Sequence, residues 1–541
     1  MKFAGLTLHR FWAAAGLAAV AHVALFDMRI FTAPEGLQVQ YIPDDAYYYL
    51  TLARNFAVRG AWTFDSGVST ATGFHPLFAY ALSLLYGLAR PTPAGFVHCG
   101  LALSSIAALT ASLIAWTLGL RRGTPYVLIF LTLVVTSGNF VWNTVSVTEW
   151  PLVVLCASFY VIVFSHGRGL SSRNRALMLF GTGVLGSLAR SDFGLLPFSL
   201  FAVGLVVRHF TRTREWSRAP LLGAAGAALG ALLVIAHDYV ISGRLIQSSA
   251  RMKAYWAQVS GISFRGPMTL LSNLVVGGGF HSGGVVPLIA VLSAVAAYLL
   301  FFVTRKGPRV ASLFRPDRAA EAPFHELTLA ASAALCIAGY ISFYAIAGAA
   351  LQPWYSGNLV VPVVVLLAVG AGLGERALRG HDRTLMEIGV SVVVLCIAAR
   401  NVATVQEDFS QSPWPHQKIM FDAGTYLGRH GVAGNIASWN AGIIGYYEGG
   451  TVINIDGLVN DDIYEYARTN SLPSYLRQKN VRYVIDFENM LQDEGLRSRG
   501  GYDDKEFIAS LVPLKAFGTS RYGRLVLYGF HPEAMPQSRR R

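Results

Sequence analysis

Long apolar segments follow one another along the first 400 residues of this 541-residue chain and then stop. A helix that crosses about 30 Å of hydrocarbon needs about 20 mostly apolar residues. Only 14% of the residues are charged, against about 25% in ordinary soluble domains, which excludes a soluble multidomain protein. We therefore predict eleven membrane spans, at roughly 11–26, 96–118, 126–142, 151–165, 176–189, 193–207, 220–236, 285–303, 326–348, 359–375 and 385–400.

Short arginine-rich loops separate these segments and set the predicted orientation. Under the eleven-span count the loops at 121–122, 168–175 and 305–318 fall on one side, which the positive-inside rule makes cytoplasmic. The net charge of +13 is spread over such loops, so it indicates membrane topology and no nucleic-acid partner. We expect a multi-pass protein of the bacterial inner membrane, with the first span kept as an anchor rather than cleaved as a signal peptide.

The remaining segments are predicted to lie outside. Residues 76–88 are apolar, but a helix of about 12 residues reaches only about 18 Å, so we expect it to lie at the membrane surface. The predicted fold is a polytopic α-helical membrane domain, 1–402, followed by an extracytoplasmic α/β domain, 403–541. In that domain, strands are predicted near Asn435–Trp439, Thr451–Ile455, Val481–Ile485 and Arg524–Phe530, and helices near Gln417–Leu427 and Asp504–Leu511.

The first external loop, 27–95, contains two adjacent acids at the start of an amphipathic helix. Asp44 stands where an N-cap belongs, and Gly60 stands where the helix should end. The helix N-terminus favours an ionised carboxylate, which can accept a proton from an attacking hydroxyl. The alternative is an N-cap followed by a solvated acid at Asp45, and the pattern leaves both interpretations open.

Four more charged groups are candidates on the external side. His75 precedes Pro76 near the headgroups, and Glu149 lies at the external end of the third predicted span. Arg190 and Asp192 interrupt an apolar stretch, and ionisable residues at membrane depth usually face a cavity or a partner. The alternatives are a structural histidine, a helix cap at Glu149 and a structural Arg–Asp ion pair.

The third external loop carries cations, and two other regions carry aromatic and polar groups. Arg251 and Lys253 could bind and stabilise a phosphate, although they could equally be interface anchors. Trp354 and Tyr355 fit an aromatic belt or a surface that stacks on a sugar. In the tail, Trp439 and Asp456 are candidates for sugar binding, although Asp456 also begins a turn.

These residues resemble the first external loop of the GT-C superfamily of glycosyltransferases, which includes protein O-mannosyltransferases and lipid A aminoarabinose transferases. Those integral membrane enzymes use polyprenyl-phosphate-linked sugars. This sequence has Asp45 where they carry Glu, and His75 falls where some members have a phosphate-contacting lysine. The resemblance is good over about residues 40–90 and looser over the other spans. The residues that carry it are Asp44, Asp45, Tyr48, Ala53, Arg54, Gly60, Trp62, His75, Pro76 and Leu77.

The resemblance implies an inverting transfer from a polyprenyl-phosphate sugar to an external hydroxyl. Asp44 would take the acceptor proton, while Asp45 and Glu149 would position groups or hold a divalent cation such as Mg²⁺ or Mn²⁺. No other cofactor is implied. The residues expected to bind donor phosphate are Arg251, Lys253 and His75, and those expected to bind substrate are Tyr48, Arg190, Asp192, Trp354, Tyr355, Trp439 and Asp456.

The sugar and the acceptor stay open at this point, and the acceptor could be an envelope glycan, a lipid or a protein. A polytopic transporter or lipid flippase would also explain many spans and intramembrane charges. Transporters usually carry paired broken helices in repeated halves, and the sequence shows no such repeat. A non-catalytic envelope scaffold is a third class, but it gives no reason for the acidic helix start.

Overall fold

The computed structural model of the protein describes residues 2–122, 125–166, 170–211, 215–260, 265–275, 321–347, 351–378, 381–450, 452–502 and 505–534. The span predicted at 285–303 and the arginine-rich loop at 305–318 lie outside these ranges. In the described part, helices occupy the chain up to Gln411, and a mixed sheet with short helices lies beyond it.

Sixteen helices are described in the first part of the chain, and two 3₁₀ turns, Ser191–Gly194 and Pro353–Ser356, precede two of them. In chain order they are α1 (Lys2–Phe31), α2 (Glu35–Gln38), α3 (Asp44–Arg59), α4 (Pro76–Ala89), α5 (Pro93–Arg122), α6 (Tyr126–Val135), α7 (Gly138–Thr144), α8 (Trp150–His166), α9 (Ser172–Ala189), α10 (Leu195–Thr211), α11 (Glu215–Ser242), α12 (Ser248–Ser260), α13 (Arg265–Val275), α14 (Glu321–Ala347), α15 (Gly357–Ala377) and α16 (His381–Gln411).

Several of these helices are long and apolar enough to cross a membrane. Among the described residues there are six such helices, or seven if the bent pair α6 and α7 forms one span. The predicted polytopic helical membrane protein is therefore confirmed, while the count of eleven spans stays a prediction. The six helical stretches are Thr7–Phe31, Pro93–Leu120, Ala219–Ser242, His325–Ala347, Pro353–Arg376 and His381–Gln411.

The structure corrects the prediction of one continuous helix over 126–142. Helix α6 ends at Val135 and α7 begins at Gly138, with a bend of 68° between them. The Ser137 hydroxyl caps α7 by accepting a hydrogen bond from the Phe140 amide at 3.2 Å. A Ser-Gly pair thus breaks the helix where the short polar stretch 136–139 interrupts the apolar run.

Helix α3 differs from the prediction at its start and in its surroundings. Pro43 is the N-cap and Asp44 is already the first helical residue, so the predicted N-cap role of Asp44 is wrong by one position. Gly60 ends the helix at φ +69°, as predicted. Both Tyr48 and Tyr49, on different faces, are buried because α3 lies between the membrane helices and the C-terminal region rather than along a free membrane surface.

The C-terminal region contains one five-stranded sheet, in the order β2-β1-β3-β5-β4. Strands β2, β1 and β3 are parallel, and β5 and β4 are antiparallel. Its elements are α17 (Gln417–His430), β1 (Asn435–Ser438), α18 (Ala441–Glu448), β2 (Val452–Asn454), α19 (Ile463–Arg468), α20 (Leu472–Gln478), β3 (Val481–Phe487), α21 (Asn489–Gln492), α22 (Glu494–Gly500), α23 (Lys505–Ala509), β4 (Leu511–Ser520) and β5 (Gly523–Phe530).

The four strands predicted in this region coincide with β1, β2, β3 and β5, but the sequence reading missed β4. The helix predicted over Asp504–Leu511 ends at Ala509, and Leu511 already begins β4. This strand is at the edge of the sheet and most of its first half is exposed, so it lacks a continuous apolar run. Two register shifts against β5 also interrupt the alternation of its side chains.

Glycines allow α9 and α11 to pack with their backbones in close contact. A Cβ on Gly183 would lie 2.4 Å from the Gly223 carbonyl oxygen, and one on Gly226 would lie 2.1 Å from the Phe180 carbonyl oxygen. Small residues at such a crossing are typical of membrane helices, where close backbone approach replaces hydrophobic burial as the source of packing energy.

Gly226→Ala should therefore lower the melting temperature, because an added methyl group in a filled contact costs about 1–3 kcal/mol. The matched control is Gly181→Ala in α9, where a Cβ would meet no atom within 4 Å. We expect Gly181→Ala to keep or raise the melting temperature in detergent. Equal melting temperatures for the two variants would contradict the close packing of α9 and α11.

Candidate active site

Asp44 joins α3 to the start of α18 in the C-terminal region. The Ile443 amide donates a hydrogen bond to Oδ1 at 2.6 Å, and the Gly442 amide donates to Oδ2 at 3.2 Å. The first amides of a helix have no partner within it, and the helix dipole favours an anion there. A Cβ on Gly442 would lie 2.3 Å from the Asp44 carbonyl oxygen, so only glycine fits. Burial raises the pKa of Asp44 to about 7, although the two amides act to lower it.

The Tyr48 hydroxyl, one helical turn further on, is surrounded by groups of the C-terminal region. It accepts hydrogen bonds from the Ala441 amide at 3.2 Å and from Asn454 Nδ2 at 3.1 Å, and it donates to Asp456 Oδ2 at 3.3 Å. The other oxygen of Asp456 accepts from the Leu458 amide at 2.7 Å, and burial raises the pKa of Asp456 to about 8. Tyr48 thus holds the two parts of the chain together, and Asp456 is brought next to the two acids of α3.

Arg190 and Glu149 form a buried ion pair, and both side chains are only 4% exposed. Arg190 Nη1 lies 2.5 Å from Glu149 Oε1, and Arg190 Nε lies 2.8 Å from Asp192 Oδ1. The Tyr49 hydroxyl donates to Glu149 Oε2 at 2.8 Å. A buried guanidinium needs such partners, because removing one of them leaves an uncompensated charge. The structure therefore brings Glu149 to the Arg190–Asp192 turn, which lies in a different segment of the sequence.

Three residues of this cluster were not predicted from the sequence. They are Tyr49 in α3, Tyr344 at the end of α14 and Asn358 at the start of α15. Asp192 accepts hydrogen bonds from the Tyr344 hydroxyl at 2.5 Å and from Asn358 Nδ2 at 2.7 Å. Their polar groups lie inside otherwise apolar helices, which is the signal that could have marked Tyr344 and Asn358 as partners of an intramembrane charge.

Tyr355 lies between two cations. The Arg190 guanidinium carbon is 4.1 Å from the centre of its ring, and Lys253 Nζ is 4.8 Å from that centre and donates a hydrogen bond to the Tyr355 hydroxyl. Cations are attracted to the face of an aromatic ring. Tyr355 can therefore keep two positive charges near each other without a permanent anion between them.

Asp45 is next to Asp44 but has different surroundings. In the part of the chain that the structure describes, its carboxylate makes no hydrogen bond. Burial raises the pKa of Asp45 to about 6, while the charge of Lys253 acts to lower it and that of Glu149 to raise it. Asp45 thus differs from Asp44 in that the charges of Lys253 and Glu149 act on it and its oxygens make no hydrogen bond among the described residues.

His75 lies near the same charges, but it is neutral at ordinary pH. Burial lowers the pKa of His75 to about 4, and the charges of Glu149 and Arg190 act in opposite directions. Its backbone amide donates to the Tyr49 hydroxyl at 3.3 Å. An imidazole without charge can still donate a hydrogen bond to a phosphate, so the contact predicted between His75 and the donor phosphate stays a prediction.

Arg251 points away from Lys253, although both are in α12. Its Nη2 lies 3.2 Å from Glu465 Oε1, and its guanidinium carbon lies 4.0 Å from the centre of the Tyr464 ring. Residues 251 and 253 lie on different faces of a helix, because neighbours on one face are three or four residues apart. The two cations therefore do not form one phosphate site.

Two tryptophans that were candidates for sugar binding are buried. Trp439 is 2% exposed, and its ring centre lies 4.7 Å from that of Tyr502 in the core of the C-terminal region. Trp354 is 7% exposed, next to Tyr355. Neither ring offers an open face to a sugar in this structure. Among the described residues, no three His, Cys, Asp or Glu side chains are arranged to hold a metal ion.

An apolar cavity is lined by residues of six helices, α5, α6, α7, α8, α14 and α15. Apart from three serines, its lining is apolar. Such a lining suits a hydrocarbon chain better than a polar ligand. The residues that line it are Ala111, Ser112, Ala115, Leu118, Val127, Leu131, Phe140, Val154, Ser158, Val161, Ser165, Leu329, Val360, Val361, Val364, Val365, Ala368 and Val369.

Comparison with solved structures identifies the fold. The chain is similar to ArnT from Cupriavidus metallidurans bound to undecaprenyl phosphate, with 12% identity, a TM-score of 0.55, and 96% of this chain and 99% of that chain covered. It is also similar to ArnT in the apo state, with 13% identity, a TM-score of 0.52, and 96% and 100% covered. ArnT is a GT-C glycosyltransferase, so the predicted resemblance is confirmed for the fold.

The chain is also similar to a third solved structure and matches one family model over part of its length. The archaeal oligosaccharyltransferase AglB from Archaeoglobus fulgidus, in complex with an inhibitory peptide and a dolichol-phosphate, has 12% identity and a TM-score of 0.47, with 96% of this chain and 75% of that chain covered. A family described as a domain of unknown function (DUF8728) matches residues 411–528, which is the C-terminal region. No curated protein matches the chain.

Asp44→Asn should lower the melting temperature. The change removes the charge that α18 binds and places an NH₂ group opposite a backbone N–H, and an unsatisfied buried donor costs about 1–3 kcal/mol. The control is Asp422→Asn, whose exposed carboxylate pairs with Lys418 at 2.5 Å and should contribute at most about 1 kcal/mol. An Asp44→Asn protein as stable as this control would show that Asp44 does not hold α18.

Proposed function

We propose that this protein is a membrane glycosyltransferase that moves a sugar from a polyprenyl-phosphate donor to an external hydroxyl group. The observation that carries the proposal is the position of Asp45. Among the described residues its carboxylate makes no hydrogen bond, and the charges of Lys253 and Glu149 act on it. An apolar cavity between the helices could hold a hydrocarbon chain. The GT-C fold shared with ArnT, which was solved with undecaprenyl phosphate, supports this assignment.

In the proposed reaction, the acceptor hydroxyl attacks the anomeric carbon of the donor sugar from the face opposite the phosphate. A new C–O bond forms, the bond to the phosphate oxygen breaks with inversion, and the bonding pair leaves with the lipid phosphate. Asp45 accepts the hydroxyl proton. A carboxylate already held by two backbone amides is less free to do so, and for this reason we assign the proton transfer to Asp45 rather than to Asp44.

Lys253 and Arg190 would stabilise the departing phosphate, because charge that develops on a leaving group is stabilised by cations already in place. Both cations lie against Tyr355, and Arg190 is fixed by Glu149 and Asp192, so they need little rearrangement when the donor binds. The apolar cavity would hold part of the polyprenyl chain.

The C-terminal region would complete the site from the external side. Asp456 lies next to the acids of α3 through its contact with Tyr48, and its carboxyl group, whose pKa burial raises to about 8, can donate a hydrogen bond to a sugar hydroxyl as well as accept one. We propose that Asp456 contacts the sugar or the acceptor. The arginine-rich loops favour a bacterial inner-membrane protein with this region on the periplasmic side. The acceptor would be an envelope glycan, lipid or protein.

The direct test is transfer by the purified protein from a panel of labelled polyprenyl-phosphate sugars, with total envelope extract as the source of acceptor. We expect label from at least one donor to move to the acceptor fraction. If the protein instead carried the intact donor across vesicle membranes and transferred no label, the proposal would be wrong and the transporter alternative would replace it.

Asp45→Asn should reduce the rate of transfer about 10²–10⁴-fold, the range typical of a general base, and leave the melting temperature unchanged. Asp422→Asn is again the control. Initial rates at saturating donor separate a loss of catalysis from a loss of donor binding. A normal rate in Asp45→Asn, together with a loss in an Asp44→Asn protein that is still folded, would return the proton transfer to Asp44.

The pH dependence gives a second, independent prediction. Asp45 must be ionised to accept a proton, and its pKa is raised to about 6, so kcat/KM should fall as the pH drops below about 6 and level off above it. The measurement is a rate profile from pH 4.5 to 8 with one donor. A rate that stays constant down to pH 4.5 would exclude Asp45 as the base.

The cavity can be tested with donors of different chain length. Val364→Phe should narrow the cavity and raise KM for a long-chain donor, while a donor with two isoprene units should be used as before. The control is Val393→Phe, whose side chain is 53% exposed in α16. An equal rise in KM for both donors would mean that Val364 affects the site in general and does not contact the chain.

A further inference from the structure

Three segments of the chain meet at the hydroxyl of Thr72, whose side chain is buried. The hydroxyl donates a hydrogen bond to Asp461 Oδ1 at 2.5 Å and accepts one from the Ser248 amide at 3.2 Å. Thr72 belongs to the first external loop, Ser248 begins α12, and Asp461 lies between β2 and α19 in the C-terminal region. A hydroxyl has one proton and two lone pairs, so both contacts can form at once.

Asp461 is held in place through its backbone as well as its side chain. Its second carboxylate oxygen accepts a hydrogen bond from the Thr70 hydroxyl at 3.0 Å, and its amide donates to the Thr70 carbonyl at 3.0 Å. Its own carbonyl accepts a hydrogen bond from Arg244. Because Asp461 is buried, the loss of any of these partners would leave a polar group unsatisfied. The turn that ends at Asp461 is therefore fixed against the first external loop.

The first turn of α12 is bound to the same two segments. The Ser248 hydroxyl donates a hydrogen bond to the Leu458 carbonyl at 3.1 Å in the C-terminal region. The Ser249 hydroxyl donates to the Gly73 carbonyl at 2.7 Å in the first external loop. The start of α12 is thus placed by contacts with both neighbours, in addition to the contact between its first amide and Thr72.

Two residues of the proposed site lie directly beside the close contact between α12 and this turn. A Cβ on Gly457 would lie 2.7 Å from Met252 Cγ, so a larger residue there would displace Met252. Lys253 follows Met252 in the chain, and Asp456 precedes Gly457. The packing of α12 on the turn therefore connects the position of the cation to that of the acid.

We propose that Thr72 is a positioning residue that keeps Lys253 and Asp456 in register for transfer. This inference rests on the proposed function, in which Lys253 stabilises the departing phosphate and Asp456 contacts the sugar or the acceptor. Thr72 acts on the cation through Ser248, which lies five residues and about 7.5 Å before Lys253 along the axis of α12. It acts on the acid through Asp461. The two groups come from distant segments, so only contacts between those segments can fix their separation.

Thr72→Val tests this role, because it replaces the hydroxyl with a methyl group of similar size. Asp461 Oδ1 and the Ser248 amide would then lose a partner, and water would have to enter between the segments to satisfy them. Thr72→Ser keeps the hydroxyl and should behave as the wild type. Thr182→Val in α9 is the matched control, since the Thr182 hydroxyl donates to the Met178 carbonyl of its own helix at 2.7 Å.

The first measurement is binding of undecaprenyl phosphate to the purified full-length protein in neutral detergent, by native mass spectrometry. Thr72→Val should weaken binding about tenfold, because the contact between a cation and a phosphate contributes enough for that factor. Lys253→Ala should weaken it at least as much. Adding Thr72→Val to Lys253→Ala should change the dissociation constant less than about twofold, since a residue that acts through Lys253 has no effect once that side chain is gone.

The second measurement is the KM for the acceptor in the transfer assay. Thr72→Val should raise this KM about tenfold, and the rise should be absent when Asp456 is already replaced by alanine. A loss of stability alone would act in every background alike, so the two double-mutant cycles separate positioning from a general structural effect. A rise in KM of the same size with and without Asp456 would contradict its positioning by Thr72.

Unchanged binding of undecaprenyl phosphate in Thr72→Val, or an equal loss with and without Lys253, would overturn the proposal. Ser249→Ala covers the case in which Thr72→Val does not fold. It removes the hydrogen bond to Gly73 and should weaken binding by a smaller factor, again only when Lys253 is present; an unaltered affinity would then overturn the proposal. A wild-type protein that binds the lipid but transfers no sugar would refute the proposed function, while the binding cycle would still decide whether Thr72 acts through Lys253.

Discussion

Arg190 is the residue on which the architecture of the site depends. Its guanidinium is almost fully buried at a break between two membrane helices, and Glu149 and Asp192 compensate its charge. The attraction offsets the cost of desolvation only when the geometry is favourable and all partners are present. The buried ion pairs thus fix α8, the 3₁₀ turn before α10, and through Tyr344 the end of α14. The same pairing gives Tyr355 and Lys253 a rigid support.

Helix α3 connects this charged cluster to the C-terminal region. Asp44 accepts hydrogen bonds from two amides of α18, whereas the charges of Lys253 and Glu149 act on Asp45, the next residue. Adjacent helical residues point about 100° apart, so one acid can stabilise the assembly while its neighbour takes part in chemistry. The burial of Tyr48 and Tyr49 on different faces of α3 follows from the same two-sided packing. The amphipathic pattern of α3 predicts one buried face, whereas the structure buries two.

Much of the fold could be predicted because it depends on local patterns. Apolar runs indicate spans, Gly60 indicates the end of α3, and short β-branched and aromatic runs indicate strands such as β3. The break at Ser137 was missed because an apolar run resumes at Phe140, directly after the short polar stretch 136–139. The edge strand β4 was missed because most of its first half is exposed. For the site, the sequence identified Glu149, Arg190 and Lys253, but not their pairing. Arg251 pairs with Glu465, and Asp44 accepts hydrogen bonds from α18. Both contacts join distant segments of the chain, which no local pattern encodes.

The contact between Asp44 and Ile443 joins residues that are 399 positions apart in the chain. At about 5–20 residues per second, a ribosome needs about 20–80 s to add the segment that separates them. During that interval the first external loop is already made, but the amides that bind Asp44 do not yet exist. The acidic end of α3 therefore stays without its partner until about four-fifths of the polypeptide has been synthesised. Assembly of this region is one of the final events in the biogenesis of the protein, and a chain truncated before residue 441 cannot complete it.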